Sequence, residues 1–198
     1  MSDDTADGPL VDFGPVRAGE LELAELGRRF GPAELAAATR ALLTAIRVEL
    51  AGAVDADVTF VPEDSDAADT FAVDLADVSL PWTLGHVIVH LTASAEETAF
   101  LAAELARGVE PHGRSRSEVP WPTITTITAC DQRLAESERM ILATLAVWPD
   151  EPDLEVAFTN SRGAVRNAPA RFLGGLMHAD EHLGQIAGIL GQARVSGR

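Results

Sequence analysis

"NAPARFLGGLMHADEHLGQIAGILGQAR", residues 167–194, decides the fold class. Phe172, Leu176, Ala179, Leu183, Ile186 and Leu190 recur at steps of three and four, the pattern of one buried helix face. Asn167 stands where a side-chain oxygen can cap the first free N–H groups, so the spacing predicts a helix over about 168–194. His178 and His182 lie on the same run, four positions apart. At about 100° per residue they fall roughly 80–120° round from the centre of the apolar stripe, flanking the core. Two imidazoles one turn apart can converge on one metal ion.

Three more stripes of this kind precede it. "FGPAELAAATRALLTAIRVELAG" (30–52) opens with Pro32, which suits a first helical turn, and repeats Leu35, Leu42, Leu43, Ile46 and Leu50. A second helix, from Pro81–Trp82 to about 107, carries Leu84, Val87, Leu91, Leu101 and Leu105. A third, about 123–148, aligns Ile127, Leu134, Ile141, Leu145 and Trp148. Each must bury one face against the others, which predicts an all-α four-helix bundle with long loops.

The connections are polar. Residues 1–16 read as a flexible acidic N-terminus and 17–198 as a single domain, with a short helix near 18–29. Residues 54–80 hold eight acidic side chains among scattered Val and Phe. We read this stretch as a loop with a short hairpin between helices one and two, long enough to permit a crossover. Its "DSDAAD" (64–69) is not an EF-hand, because Asp69 and Leu75 stand where that loop needs Gly and Glu. Residues 108–122 form a loop by their Pro, Gly and Ser content, and 154–160 are briefly extended.

Formal charge is −16, and every one of the 15 basic residues is Arg. Such a surface repels phosphate backbones, so no nucleic-acid partner is expected. No apolar run approaches the roughly 20 residues that span a bilayer, and "MSDDTADGPL" lacks the features of a signal peptide. The expectation is a cytoplasmic protein away from membranes. The lone Cys130 excludes an internal disulfide and lies near the stripe of helix three, where a buried, inert thiol is expected.

A third ligand for His178 and His182 must come from upstream, because no Asp, Glu, His or Cys follows His182. On the second helix His90 falls about 70° from the stripe centre and His86 about 110°, which favours His90. Glu97 shares the side of His90, and His112 sits in a loop. Three neutral imidazoles leave coordination positions open, the mark of a catalytic rather than a structural site. "HADEH" also matches the inverted zinc-protease motif with Glu181 as base, but the chain has no acidic ligand downstream.

"WTLGHVIVHL" (82–91) and "MHADEHLGQI" (177–186) together resemble the opening and closing signatures of DinB/YfiT-like proteins, over roughly residues 32–194. The resemblance implies an up-down-down-up bundle holding divalent zinc or nickel on His90, His178 and His182. His86 is similar to a variant found in the branch of mycothiol-dependent maleylpyruvate isomerases, which carry a further C-terminal domain. The family implies thiol S-transfer, thiol-dependent isomerisation or hydrolysis, with mycothiol as a candidate cosubstrate, and pairing into a homodimer.

The leading expectation is therefore a metal-dependent enzyme acting on a small molecule with a low-molecular-weight thiol. Arg162, Arg166 and Arg171, at the entry to helix four, are candidates to clamp an anionic substrate. The alternative is a metal-binding or stress-response interaction protein without turnover.

Overall fold

The computed structural model describes residues 8–65, 67–69, 75, 77–110, 113, 115, 118–159 and 163–197. Two short helices, α1 (Gly14–Arg17) and α2 (Leu23–Gly27), lead into the long α3 (Pro32–Glu49). After the one-turn α4 (Asp55–Val58) come α5 (Leu84–Ala106), α6 (Ile127–Leu145) and α7 (Ala168–Val195). The helix starts follow local chemistry. Thr83, Thr126 and Asn167 accept bonds from the backbone N–H of His86, Ala129 and Ala170, and Gly31 N–H donates to Glu34.

The four long helices close on one apolar core. Leu35, Ile46, Leu84, Ile88, Leu134, Phe172 and Ile186 are all essentially inaccessible. Burial of each such side chain stabilises the fold by roughly 1.5–3 kcal/mol. Phe13, within the stretch expected to be flexible, is also buried in this core.

Pairings along the helices give their directions. Arg47 meets Glu138, and Asp55 accepts from Ile127 N–H, so α3 and α6 are antiparallel. His90 faces His178 while Ala95 faces Gly175, so α5 and α7 are antiparallel. The Ile124 carbonyl crowds Gly85 just before α6, and Arg133 bonds Thr92 further along, so α5 and α6 run the same way. The order is up-down-down-up. A parallel pair needs a return path, and the 107–126 connection supplies it.

Two expectations meet the structure here. The crossover that returns along the length of the bundle is the second connection, because α3 already ends beside the start of α6, while the acidic first connection joins α3 to α5, which are not packed neighbours. Among the described residues of 54–80 there is no strand. The hairpin lies instead between helices three and four of the bundle, as β1 (Ala157–Thr159) and β2 (Val165–Asn167), with Phe158 opposite Arg166. The extended reading of 154–160 meets β1. Phe71 and Val73, which suggested strand in the acidic segment, lie outside the described residues.

Two glycines set how closely α5 is approached by its neighbours. A Cβ on Gly175 would stand 3.0 Å from Thr98 Cβ and 3.3 Å from Ala95 Cα, so α5 and α7 touch backbone to backbone there. A Cβ on Gly85 would press the Ile124 carbonyl, whose carbon lies 3.4 Å away. The first contact fixes the spacing of the histidine-bearing helices, and the second seats the end of the crossover on α5.

Candidate metal centre

His90 on α5 and His178 and His182 on α7 come together between the two helices. His90 Nε2 lies 3.0 Å from His178 Nε2, and His182 Nε2 lies 3.3 Å from the same atom. One ring nitrogen from each of the three falls within 4.8 Å of the others. Donors bound tetrahedrally to one ion at about 2.0–2.1 Å stand about 3.3 Å apart, close to these two separations, so the cluster suits a shared divalent ion.

The outer nitrogens also carry partners. His182 Nδ1 is 2.7 Å from Gln185 Oε1, one helical turn on. His90 Nδ1 approaches Glu118 Oε1 at 3.4 Å, and His178 Nδ1 approaches Glu181 Oε2 at 3.7 Å. An acceptor on Nδ1, as Gln185 is for His182, holds the proton there and leaves Nε2 as the free donor atom, which is how metal-ligating histidines are oriented. Burial, partly offset by Gln185, lowers the His182 pKa from the ordinary histidine value. Glu181 sits behind His178 and beside Arg17 Nε at 3.7 Å, turned away from the metal-facing nitrogen.

An aromatic row flanks the three rings. Trp121 stacks on His86 at 4.8 Å and 5°, and His86 stacks on Trp82 at 4.4 Å. Trp82 in turn lies 4.6 Å from the His90 ring and 6.0 Å from that of His182. His86 is thus outside the triad but is 8% exposed, covered by the crossover rather than by the bundle. Burial pushes its pKa down to about 4, against the opposing pull of Asp69, Glu118 and Asp77.

The remaining candidates lie elsewhere. Glu97 accepts from Ser115 N–H and takes no part in the triad. Arg166 donates to the Val165 carbonyl at 3.1 Å, and the Arg171 guanidinium lies 4.4 Å over the Phe158 ring, so both hold contacts at the hairpin. Arg162 and His112 fall outside the described residues. Cys130 is fully buried, and burial pushes its thiol up to about 12. Among the described residues no helix is long and apolar enough to cross a membrane.

Trp82 and Gln185 stood within the two signature stretches, whereas Glu118 and Trp121 were not singled out from sequence. Gln185 had a signal, since it follows His182 by three positions on the same helix. Glu118 had none, because a loop residue reaches its partner only through the path of the crossover.

The bundle and its inward-facing imidazoles define a helical-bundle protein with a candidate centre for a divalent metal. The chain belongs to the DinB superfamily, whose sequence model matches residues 34–186. No curated protein matches the chain, and no solved structure does.

Proposed function

We propose that the protein is a metal-dependent enzyme that activates a low-molecular-weight thiol, such as mycothiol, for transfer to an electrophilic small molecule. The observation that carries this reading is the three-nitrogen cluster itself, since three imidazole donors are fewer than the four a tetrahedral ion takes. Zinc or nickel held there would supply a Lewis acid able to lower the pKa of a thiol or water towards neutrality.

The chain's own residues do the rest. His90, His178 and His182 hold the ion; Glu118, Glu181 and Gln185 fix the rings that bind it. Trp82 and Trp121, with His86 between them, wall one side and exclude water from it. The thiol would give up its proton to solvent water, its sulfur would form the new bond to the electrophilic carbon, and the displaced group would leave with the bonding pair.

The test is to purify the full chain without a histidine tag, measure its zinc and nickel, and assay thiol conjugation to an activated aryl halide by mass spectrometry. Stoichiometric metal and conjugation that disappears in His90→Ala support the reading. Metal without conjugation leaves a binding protein only. Absence of metal that added zinc or nickel does not restore overturns the metal reading altogether.

A further inference from the structure

His86 is a buried ring on α5 that stands outside the donor triad. It lies between Trp82, at 4.4 Å, and Trp121, at 4.8 Å and 5°. Trp121 belongs to the crossover, which runs back along α5 and touches it at successive points. Ser115 N–H donates to Glu97, Glu118 Oε1 stands 3.4 Å from His90 Nδ1, Trp121 covers His86, and the Ile124 carbonyl lies against Gly85. The spacings agree, since a helix rises about 10 Å from His90 to Glu97 and the three extended residues from Ser115 to Glu118 span about the same. The crossover is thus held in register on α5 and antiparallel to it.

The stretch around Trp121 is stiff. Pro120 and Pro122 flank it, and their rings hold φ near about −65°. Trp121–Thr123 form a 3-10 turn, in which Thr123 donates to the Pro120 carbonyl from N–H at 3.0 Å and from Oγ1 at 2.7 Å. Ile124 N–H closes the turn on the Trp121 carbonyl at 3.0 Å. Val119 and Pro120 alone separate Trp121 from Glu118, so the seat of Trp121 decides where the chain carries Glu118 past His90.

We propose that His86 and Trp121 form a latch for the metal centre: Trp121 is a positioning residue that, seated on His86, holds the Glu118 carboxylate at His90 Nδ1 and so keeps His90 Nε2 turned to the ion. The latch presupposes the metal centre proposed above and gives a reason for a second histidine on α5 that is not a ligand. A carboxylate beside Nδ1 favours the tautomer with its proton there, which leaves Nε2 free to bind. The latch itself is a stack of flat rings, so another aromatic side chain can serve in place of Trp121.

The experiment uses the full chain without a histidine tag. Zinc affinity is read by chelator competition, and the ring nitrogens of His90, His178 and His182 are followed by NMR in metal-free protein. Trp121→Ala is expected to weaken zinc binding about ten-fold, the low end for losing an outer contact to a metal ligand, and Trp121→Phe to restore most of it. Glu118→Ala should weaken binding at least as much, and adding Trp121→Ala to it should weaken binding no further, because the two residues act in series. In metal-free protein Trp121→Ala should move His90 from the Nδ1–H towards the Nε2–H tautomer while His182, held by Gln185, stays as it is. Glu118→Ala, which leaves the stack in place, should move His90 in the same way. General loosening would move all three rings and make the two substitutions additive, which overturns the proposal. Zinc affinity unchanged in Trp121→Ala, or no better in Trp121→Phe, overturns it as well. If the wild type binds no zinc, the metal reading fails by itself, and a His90 tautomer unmoved in both variants overturns the latch separately.

Discussion

His90 and His178 present Nε2 atoms 3.0 Å apart although 88 residues separate them in the chain. Two antiparallel helices, not a local motif, hold the donors in register. Removing either donor should therefore lower metal occupancy without unfolding the bundle, since neither ring belongs to the apolar core. His90→Ala and His178→Ala are expected to retain helical circular dichroism and lose stoichiometric zinc or nickel by elemental analysis. Gln185→Leu keeps all three donors but releases His182 Nδ1, so metal affinity should fall about 10–100-fold in a chelator competition. Unchanged affinity in Gln185→Leu would show that this contact does not orient the ring.

Gly175→Ala tests the spacing of those helices. The added methyl meets Thr98 Cβ at 3.0 Å and the Ala95 backbone at 3.3 Å, and the backbone cannot move aside as a flexible side chain could. Overpacking of this kind costs about 1–3 kcal/mol, read as a lower midpoint in chemical denaturation. Metal affinity should fall in the same variant, because the α5–α7 gap that sets the nitrogen separations widens. A neutral effect on both would mean that the helices part without cost.

Cys130 should be silent in the native protein. It is fully buried and its thiol is pushed up to about 12, first by burial and then by Asp131 and Asp55. At pH 8 the reactive thiolate is scarce and inaccessible. An aromatic disulfide reagent is expected to label none of it in native protein and all of it in denaturant, monitored by absorbance.

His86 makes stability depend on pH. Its pKa falls from the usual 6.5 to about 4 in the folded chain, so between those values the unfolded chain binds a proton that the folded chain does not. The associated stability is complete above pH 6.5 and is lost as the pH falls towards 4. His86→Phe keeps a ring between Trp82 and Trp121 but removes the titration. In metal-free protein the wild type should lose stability more steeply than the variant across this window, by at most about 1.4 kcal/mol per pH unit. Parallel curves would refute the assignment.

The long helices were legible because burial imposes a period of 3.6 residues, and 18 to 28 residues give that period room to repeat. The same arithmetic placed His90 at the inner edge of α5 and so found the third donor. It also set His86 farther out, at about 110°, and the structure leaves His86 outside the triad, covered by Trp121 of the crossover. Loops have no period, so neither the Trp121–His86 stack nor the approach of Glu118 to His90 could be read in advance. The hairpin escaped for a related reason: each strand has three residues, too few for alternation to stand above chance. The direction of the crossover depends on which helices are neighbours, and that is settled by packing such as Gly85 against Ile124.

The aromatic row has an optical consequence. The chain has three tryptophans and no tyrosine, and two of the three, Trp82 and Trp121, flank the histidine cluster, Trp82 against the His90 and His182 rings and Trp121 behind His86. Ultraviolet-excited emission from this protein is therefore weighted towards one small region. A bound nickel ion should dim that light, whereas closed-shell zinc should leave it bright, so the molecule carries its own indicator of which cation it holds.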